Sequence, residues 1–324
     1  MKLHRAVYFL AFGLLLLIIP ASLSSPSSAQ IAIGISLRVG PPALPVYEQP
    51  ICPGPGYLWT PGYWAWSDDD GYYWVPGTWV VAPVGMLWTP GYWGWAGGVY
   101  AWHAGYWGPH IGFYGGINYG FGYGGVGFGG GEWRGGAFFY NTAVMHVDTV
   151  HITNVYVNRT VIVNNESHVA FNGGEGGVAA RPTPAEEAAA REPHQAPLAA
   201  QMQQEHAASQ NRAMLASANL GAPAVAATAR PGEFSGHGVI AAKAAGAPYH
   251  APAISPREAR ASAPEANRAD AANRPFTPPA HTESSPRAEN ARPQNESHPQ
   301  SESKAKPSKA PKHPSQEEKH DKGR

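Results

Sequence analysis

The chain has 324 residues, 23 basic and 23 acidic side chains, and no formal net charge. Glycine (38) and proline (32) make up about a fifth of it and charged residues only 14%, which argues against two full-sized globular domains. The charge balance argues against nucleic acid as a partner, since that needs a concentrated basic face: residues 30–180 hold three basic side chains (Arg38, Arg134, Arg159) against eight acidic ones, and residues 181–324 carry only a small basic excess.

In chain order, residues 1–29 read as a signal peptide. Lys2 and Arg5 give a positive start, Ala6 to Pro20 is a short apolar run, and Ser27-Ser28-Ala29 is a small-x-small cleavage site ahead of Gln30. The expectation is export to the periplasm, outer envelope or medium. No later apolar run reaches membrane-spanning length, so no transmembrane segment is expected in the mature chain. Residues 30–56 read as an extended N-terminal segment. It holds the only cysteine, Cys52, which excludes an intramolecular disulfide and reads as a free thiol.

Residues 57–110 carry the strongest signal. Ten of the 11 tryptophans lie between Trp59 and Trp107. Eight follow one rule (Trp, two residues, Gly, one residue, Trp) in four copies: Trp59/Gly62/Trp64, Trp74/Gly77/Trp79, Trp88/Gly91/Trp93 and Trp102/Gly105/Trp107. The copies recur every 14 or 15 residues, and Leu58–Trp66 is nearly repeated 29 residues later at Leu87–Trp95. Aromatic runs broken by Ser67-Asp68-Asp69-Asp70-Gly71 and by Ala96-Gly97-Gly98 are hairpin signals. The expected fold is small and all-β, an antiparallel meander of four to six short Trp-rich strands. Pro61-Gly62, Pro76-Gly77 and Pro90-Gly91 fall inside the strands, with Ala104-Gly105 in the fourth copy. A one-residue bulge there would bring both tryptophans of a motif to one face. So small a unit has little aliphatic content, so the indoles are expected to cover one another as its core. The alternatives are a glycan platform and a protein-assembly surface.

These four copies resemble the WXXGXW-repeat (YXWGXW-repeat) proteins exported by bacteria, over about 50 residues. The resemblance implies an exported protein with no assigned activity, and it carries over no catalytic residue.

Residues 111–136 read as a Gly/aromatic linker, with 13 glycines within 112–136. Residues 137–172 turn to Val, Thr and Asn and read as one or two strands, with Val155, Val157, Val161 and Val163 on one face. Residues 183–220 read as helical. The first helix has Thr183 as N-cap, Pro184 at its first position and Glu186 completing a capping box, and Pro193 stops it. The second runs from Leu198 to Asn219, with so few apolar positions that it is marginal or docks on a partner. Residues 221–324 read as a low-complexity disordered tail with a basic end.

No enzyme constellation stands out. Asp68, Asp69 and Asp70 are consecutive in a turn; His146, Asp148 and His151 do not share one face of a strand; the Gly-rich run lacks a phosphate-loop lysine. No catalytic residue, metal or cofactor is therefore expected. The function expected is that of an exported, non-catalytic structural or interaction protein of the bacterial cell envelope. The alternative is a carbohydrate or cell-wall-binding module using exposed tryptophans. Envelope polysaccharide and self-association are the candidate partnerships.

Overall fold

The computed structural model describes residues 35–163 and 167–261. The expected signal peptide and the tail beyond Ala261, with its basic end, lie outside the described residues. The chain is mostly short antiparallel strands with a few short helices, as the repeat predicts.

After β1 (Ser36–Leu37), the repeat contributes eight strands: β2 (Tyr57–Thr60), β3 (Tyr63–Ser67), β4 (Gly71–Val75), β5 (Gly77–Val81), β6 (Leu87–Thr89), β7 (Tyr92–Ala96), β8 (Val99–His103) and β9 (Tyr106–Gly108). They form two long hairpins, each interrupted halfway. β3 pairs with β4 at the tip of the first and β2 with β5 at its base; β7–β8 and β6–β9 repeat the plan in the second. The strands are thus nested, and they outnumber the four to six expected. The first tip is a three-residue loop, Asp68–Asp70, closed by Gly71 at φ +84°; the second is Gly97-Gly98 at φ +57° and +85°. The shorter second loop explains why the motif spacing falls from 15 to 14 residues.

The interruptions contain no net bulge, contrary to expectation. Thr60 faces Thr78 below the break and Tyr63 faces Val75 above it, with two residues on each arm between. Register therefore passes through unchanged, and the second hairpin does the same between Thr89/Tyr106 and Tyr92/His103. Nor do Gly62, Gly77, Gly91 and Gly105 adopt positive φ. Their role is to make room.

A Cβ built on Gly77, Gly91 or Gly105 would lie 2.5 Å from Cζ2 of Trp59, Trp102 or Trp88 respectively, and one on Gly62 closer still to Trp74. Each motif's first indole thus lies across the glycine of the opposite arm. It also meets that arm's second tryptophan. Trp59–Trp79, Trp64–Trp74, Trp88–Trp107 and Trp93–Trp102 are directly opposed pairs with ring centroids 5.2–5.4 Å apart, within the favourable range for tilted aromatic contacts. The spacing Trp-x-x-Gly-x-Trp is the trace of this reciprocal arrangement.

All the repeat-defining tryptophans except Trp102 are buried. They join one core with Leu37, Leu58, Tyr114 and Tyr140. The indole of Trp93 donates to the Trp64 carbonyl at 2.8 Å, tying the hairpins together.

The stretch read as a linker enters this core. β10 (Asn118–Gly120) and β11 (Tyr123–Gly124) form a small ribbon, and Tyr114, Ile117 and Tyr123 are fully buried. Glycine lets the chain double back tightly, as at Gly125 (φ +107°), and the tyrosines supply the apolar area. The Tyr123 hydroxyl lies 2.9 Å from the Trp88 carbonyl and 3.3 Å from that of Trp59, equivalent positions in the two hairpins.

β12 (Gly131–Arg134) and β13 (Ala137–Asn141) form a further hairpin, which β14 (Val155–Tyr156) joins in parallel. The predicted valine strand stops at Tyr156. Asn158 caps a 3-10 turn over Arg159–Val161, accepting from the Thr160 N–H at 3.0 Å, and Val157 and Val163 stay exposed. β15 (Phe171–Asn172) pairs in parallel with β7, giving the sheet β1-β8-β7-β15.

Helix α1 (Pro184–Ala189) has the predicted capping box. Glu186 N–H donates to Thr183 Oγ1 at 3.3 Å, and Thr183 N–H donates to Glu186 Oε2 at 2.8 Å. The second predicted helix is broken. α2 (Ala199–Ser209) ends ten residues early, a 3-10 turn spans Arg212–Met214, and α3 (Ala216–Asn219) follows. The break lets Ala208 and Met214 reach the outer face of the first hairpin, where they cover Ala65, Tyr73 and Val75 in a second small core. The partner on which this helix docks is its own repeat.

The tail reading fails for residues 222–261. β16 (Ala227–Thr228) pairs in parallel with β5, and β17 (Val239–Ile240) extends the sheet to β17-β16-β5-β2. α4 (Pro256–Ala259) follows, and Arg257 and Arg260 meet Asp69 and Asp68 of the first tip. Alanine at 226 and 227, fully buried, allows a close backbone approach that a composition-based reading does not register.

Candidate functional site

The four interruptions converge. Pro61, Pro76, Pro90 and Ala104 all line one cavity of about 130 Å³ between the two hairpins. Proline at three of these points removes a ladder donor and fixes φ, giving the cavity stiff backbone walls. Aromatic rings complete its sides. Tyr63 stacks on Trp102 with centroids 5.1 Å apart and planes 20° apart, and Trp88 and Tyr119 line it too. The Tyr119 hydroxyl is committed to the Gly91 carbonyl at 2.7 Å.

Helix α2 closes the cavity with Gln201, Gln204 and Glu205. Its N-terminus lacks an ordinary polar cap at Leu198. Gln201 compensates, because Oε1 accepts from the Leu198 N–H at 2.9 Å and from the Trp107 indole at 2.7 Å. Gln204 is fully buried and fully used: Nε2 donates to the Pro76 carbonyl and to Thr228 Oγ1, both at 3.1 Å, and Oε1 accepts from the Gly232 N–H. Thr60 Oγ1 donates to the Thr78 carbonyl at 2.9 Å, and Thr228 donates to Thr78 Oγ1 at 3.0 Å.

Glu205 is different. Burial pushes its carboxyl above the usual range, against the opposing pull of the nearby Tyr63 and Tyr73 hydroxyls. Burial, reinforced by the nearby Glu205 carboxylate, pushes both tyrosines up as well. No Lys, Arg or His is among the described residues lining the cavity.

Most of the residues singled out from sequence fall elsewhere. Eight repeat tryptophans and four glycines build the core, with Trp88, Trp102, Gly91 and Gly105 also forming cavity wall. Cys52 is buried, donates to the Gly54 carbonyl at 3.2 Å, and is pushed up to about 11 by burial. Asp68 accepts from the Trp66 indole at 2.9 Å and from Arg260 at 2.8 Å. His151 and Asp148, expected on opposite faces, meet at 2.6 Å because the chain turns there, whereas His146 Nδ1 contacts the Gln49 carbonyl. Among the described residues no group of three or more His, Cys, Asp or Glu side chains is placed to hold a metal ion. A second cavity of about 210 Å³ lies beside Tyr92, His103, Tyr106 and Glu186. Burial pushes the His103 imidazole down.

Sequence reading missed Glu205, Gln201, Gln204 and Tyr63. The helical three sit in an Ala/Gln-rich stretch with no motif, and Tyr63 was visible only as one more aromatic of the repeat.

The nested geometry defines the repeat unit as a whole hairpin containing two motifs. Residues 54–80 and 84–107 are two copies of the WXXGXW repeat. No curated protein and no solved structure matches the chain. Among the described residues no helix is long and apolar enough to cross a membrane.

Proposed function

We propose that this is an exported, non-catalytic structural or interaction protein of the bacterial cell envelope, in which the two WXXGXW hairpins form a rigid scaffold. The observation that carries this reading is the reciprocal packing of the repeat indoles, seven of them buried against one another and against the Gly-rich segment. A sugar-stacking platform needs exposed ring faces, and the burial of these seven rings supports the scaffold reading instead. The apolar run and cleavage site within residues 1–29 support export.

Two measurements on the full mature chain test the reading. Tryptophan emission is expected to be blue-shifted and unchanged by soluble peptidoglycan or polysaccharide. Cell fractionation is expected to recover the protein outside the cytoplasm with its N-terminus at Gln30. Red-shifted emission that moves saturably with glycan would replace the scaffold by a glycan-binding module. Recovery in the cytoplasm would remove the envelope role.

A further inference from the structure

We propose that the cavity between the two hairpins is a binding site for one small organic cation, an ammonium group of about the size of a methylated amine. Its polar groups decide the sign of the ligand. Thr60, Thr78 and Gln204 are already bonded to protein partners, and Gln201 commits its amide oxygen to Leu198 and Trp107. Glu205 is the one charged side chain among the described residues lining the cavity, and that lining brings no cation to its carboxylate. Glu205 is half-buried, and a carboxylate withdrawn from water among prolines and rings without a countercharge is costly. An anion would worsen that cost and a neutral guest would leave it in place, whereas a cation removes it.

The walls decide the kind of cation. Tyr63, Trp88, Trp102 and Tyr119 line the cavity, with Tyr63 and Trp102 stacked on each other, and such an aromatic wall favours a diffuse positive charge. A metal ion needs several oxygen, nitrogen or sulfur ligands, and the one carboxylate with prolines and rings does not provide them. The volume, about 130 Å³, suits a guest of roughly benzene size, since a cavity of roughly 150 Å³ accommodates that ring. Three prolines and the paired strands hold the walls before any ligand arrives, which lowers the ordering cost of binding.

The test is calorimetric titration of the full mature protein with tetramethylammonium chloride and with choline chloride, at matched ionic strength. The uncharged analogue 3,3-dimethylbutan-1-ol and sodium chloride serve as comparisons. Saturable one-to-one binding of the ammonium ions is expected, with a change in tryptophan emission and at least about tenfold weaker binding of the uncharged analogue. Glu205→Gln should reduce ammonium affinity at least about tenfold while keeping or raising the thermal midpoint, because it removes the isolated charge. Trp102→Leu should weaken the ammonium ions more than the alcohol. Equal binding of alcohol and ammonium, full affinity in Glu205→Gln, or no saturable binding of either cation would each overturn the proposal. The comparison of ammonium with alcohol on the unmodified protein decides the matter even if a variant does not fold.

Discussion

The two hairpins share a plan but not an environment. In the first, every residue of β4 is buried; in β8, its counterpart, only Ala101 is. Trp74 is fully buried, whereas the equivalent Trp102 is half-buried. The difference lies outside the repeat. Ala208, Met214 and Val225 cover the outer face of the first hairpin, while the second gains its flanking strands, β1 and β15, at the edges of its sheet. The motif therefore secures the indole pairs by itself, and sealing of the second face depends on sequence that carries no motif.

The largest expected contrast is in alkali. Burial pushes Tyr63 and Tyr72 of the first hairpin well above the ordinary tyrosine value of 10.0, and Tyr73 strongly upward. In the second, Tyr92 reaches about 12, and Tyr100 and Tyr106 are raised as well. An unfolded tyrosine releases its proton near 10 and a buried one keeps it, so stability is intact below that pH and falls as pH rises above it. Each strongly raised tyrosine is expected to remove roughly 1.4 kcal/mol per pH unit in that window. Tyrosinate absorbance with single Tyr→Phe variants should show second-hairpin tyrosines ionising first and those of the first only with unfolding. Ionisation of Tyr72 or Tyr73 while near-UV circular dichroism is still native would refute this.

Truncating the indoles sharpens the same contrast. Trp74→Ala is expected to cost about 3–5 kcal/mol, as for a fully buried large aromatic. Trp102→Ala, with less area to lose, should cost about 1–3 kcal/mol. Denaturant unfolding of both variants checks the difference, and equal losses would mean that the two hairpins are equally sealed.

At the glycines the contrast should vanish. Gly77→Ala and Gly105→Ala each force a methyl against an indole held 2.5 Å from the added carbon, and each is expected to cost about 1–3 kcal/mol by overpacking. A free substitution at either position would show that the indole does not lie where the reciprocal pairing puts it. The smallest effect is expected at the first tip. Asp68→Asn weakens an exposed pair with Arg260, and the thermal midpoint should barely move, with a slightly smaller dependence on salt.

Much of this was legible in the sequence. Asp68-Asp69-Asp70-Gly71 and Gly97-Gly98 mark the two tips, Thr183 and Glu186 mark a helix start, and the motif itself marks the core. The reason for the central glycine was not legible, because it lies in the opposite arm of the hairpin. The burial of Tyr114 and Tyr123 and the docking of Ala226 and Ala227 were hidden for a related reason. Glycine, alanine and tyrosine in irregular chain have no period to read, and their partners are distant in sequence. Glu205 looks like one charge on a polar helix until the first hairpin is set against it.

Because the first indole of each motif is seated on the glycine of the opposite arm, a solitary motif has nowhere to rest that ring. Relatives of this chain that lengthen or shorten the array should therefore do so by whole hairpins, leaving even numbers of motifs, and a segment with an odd count should expose one indole to water.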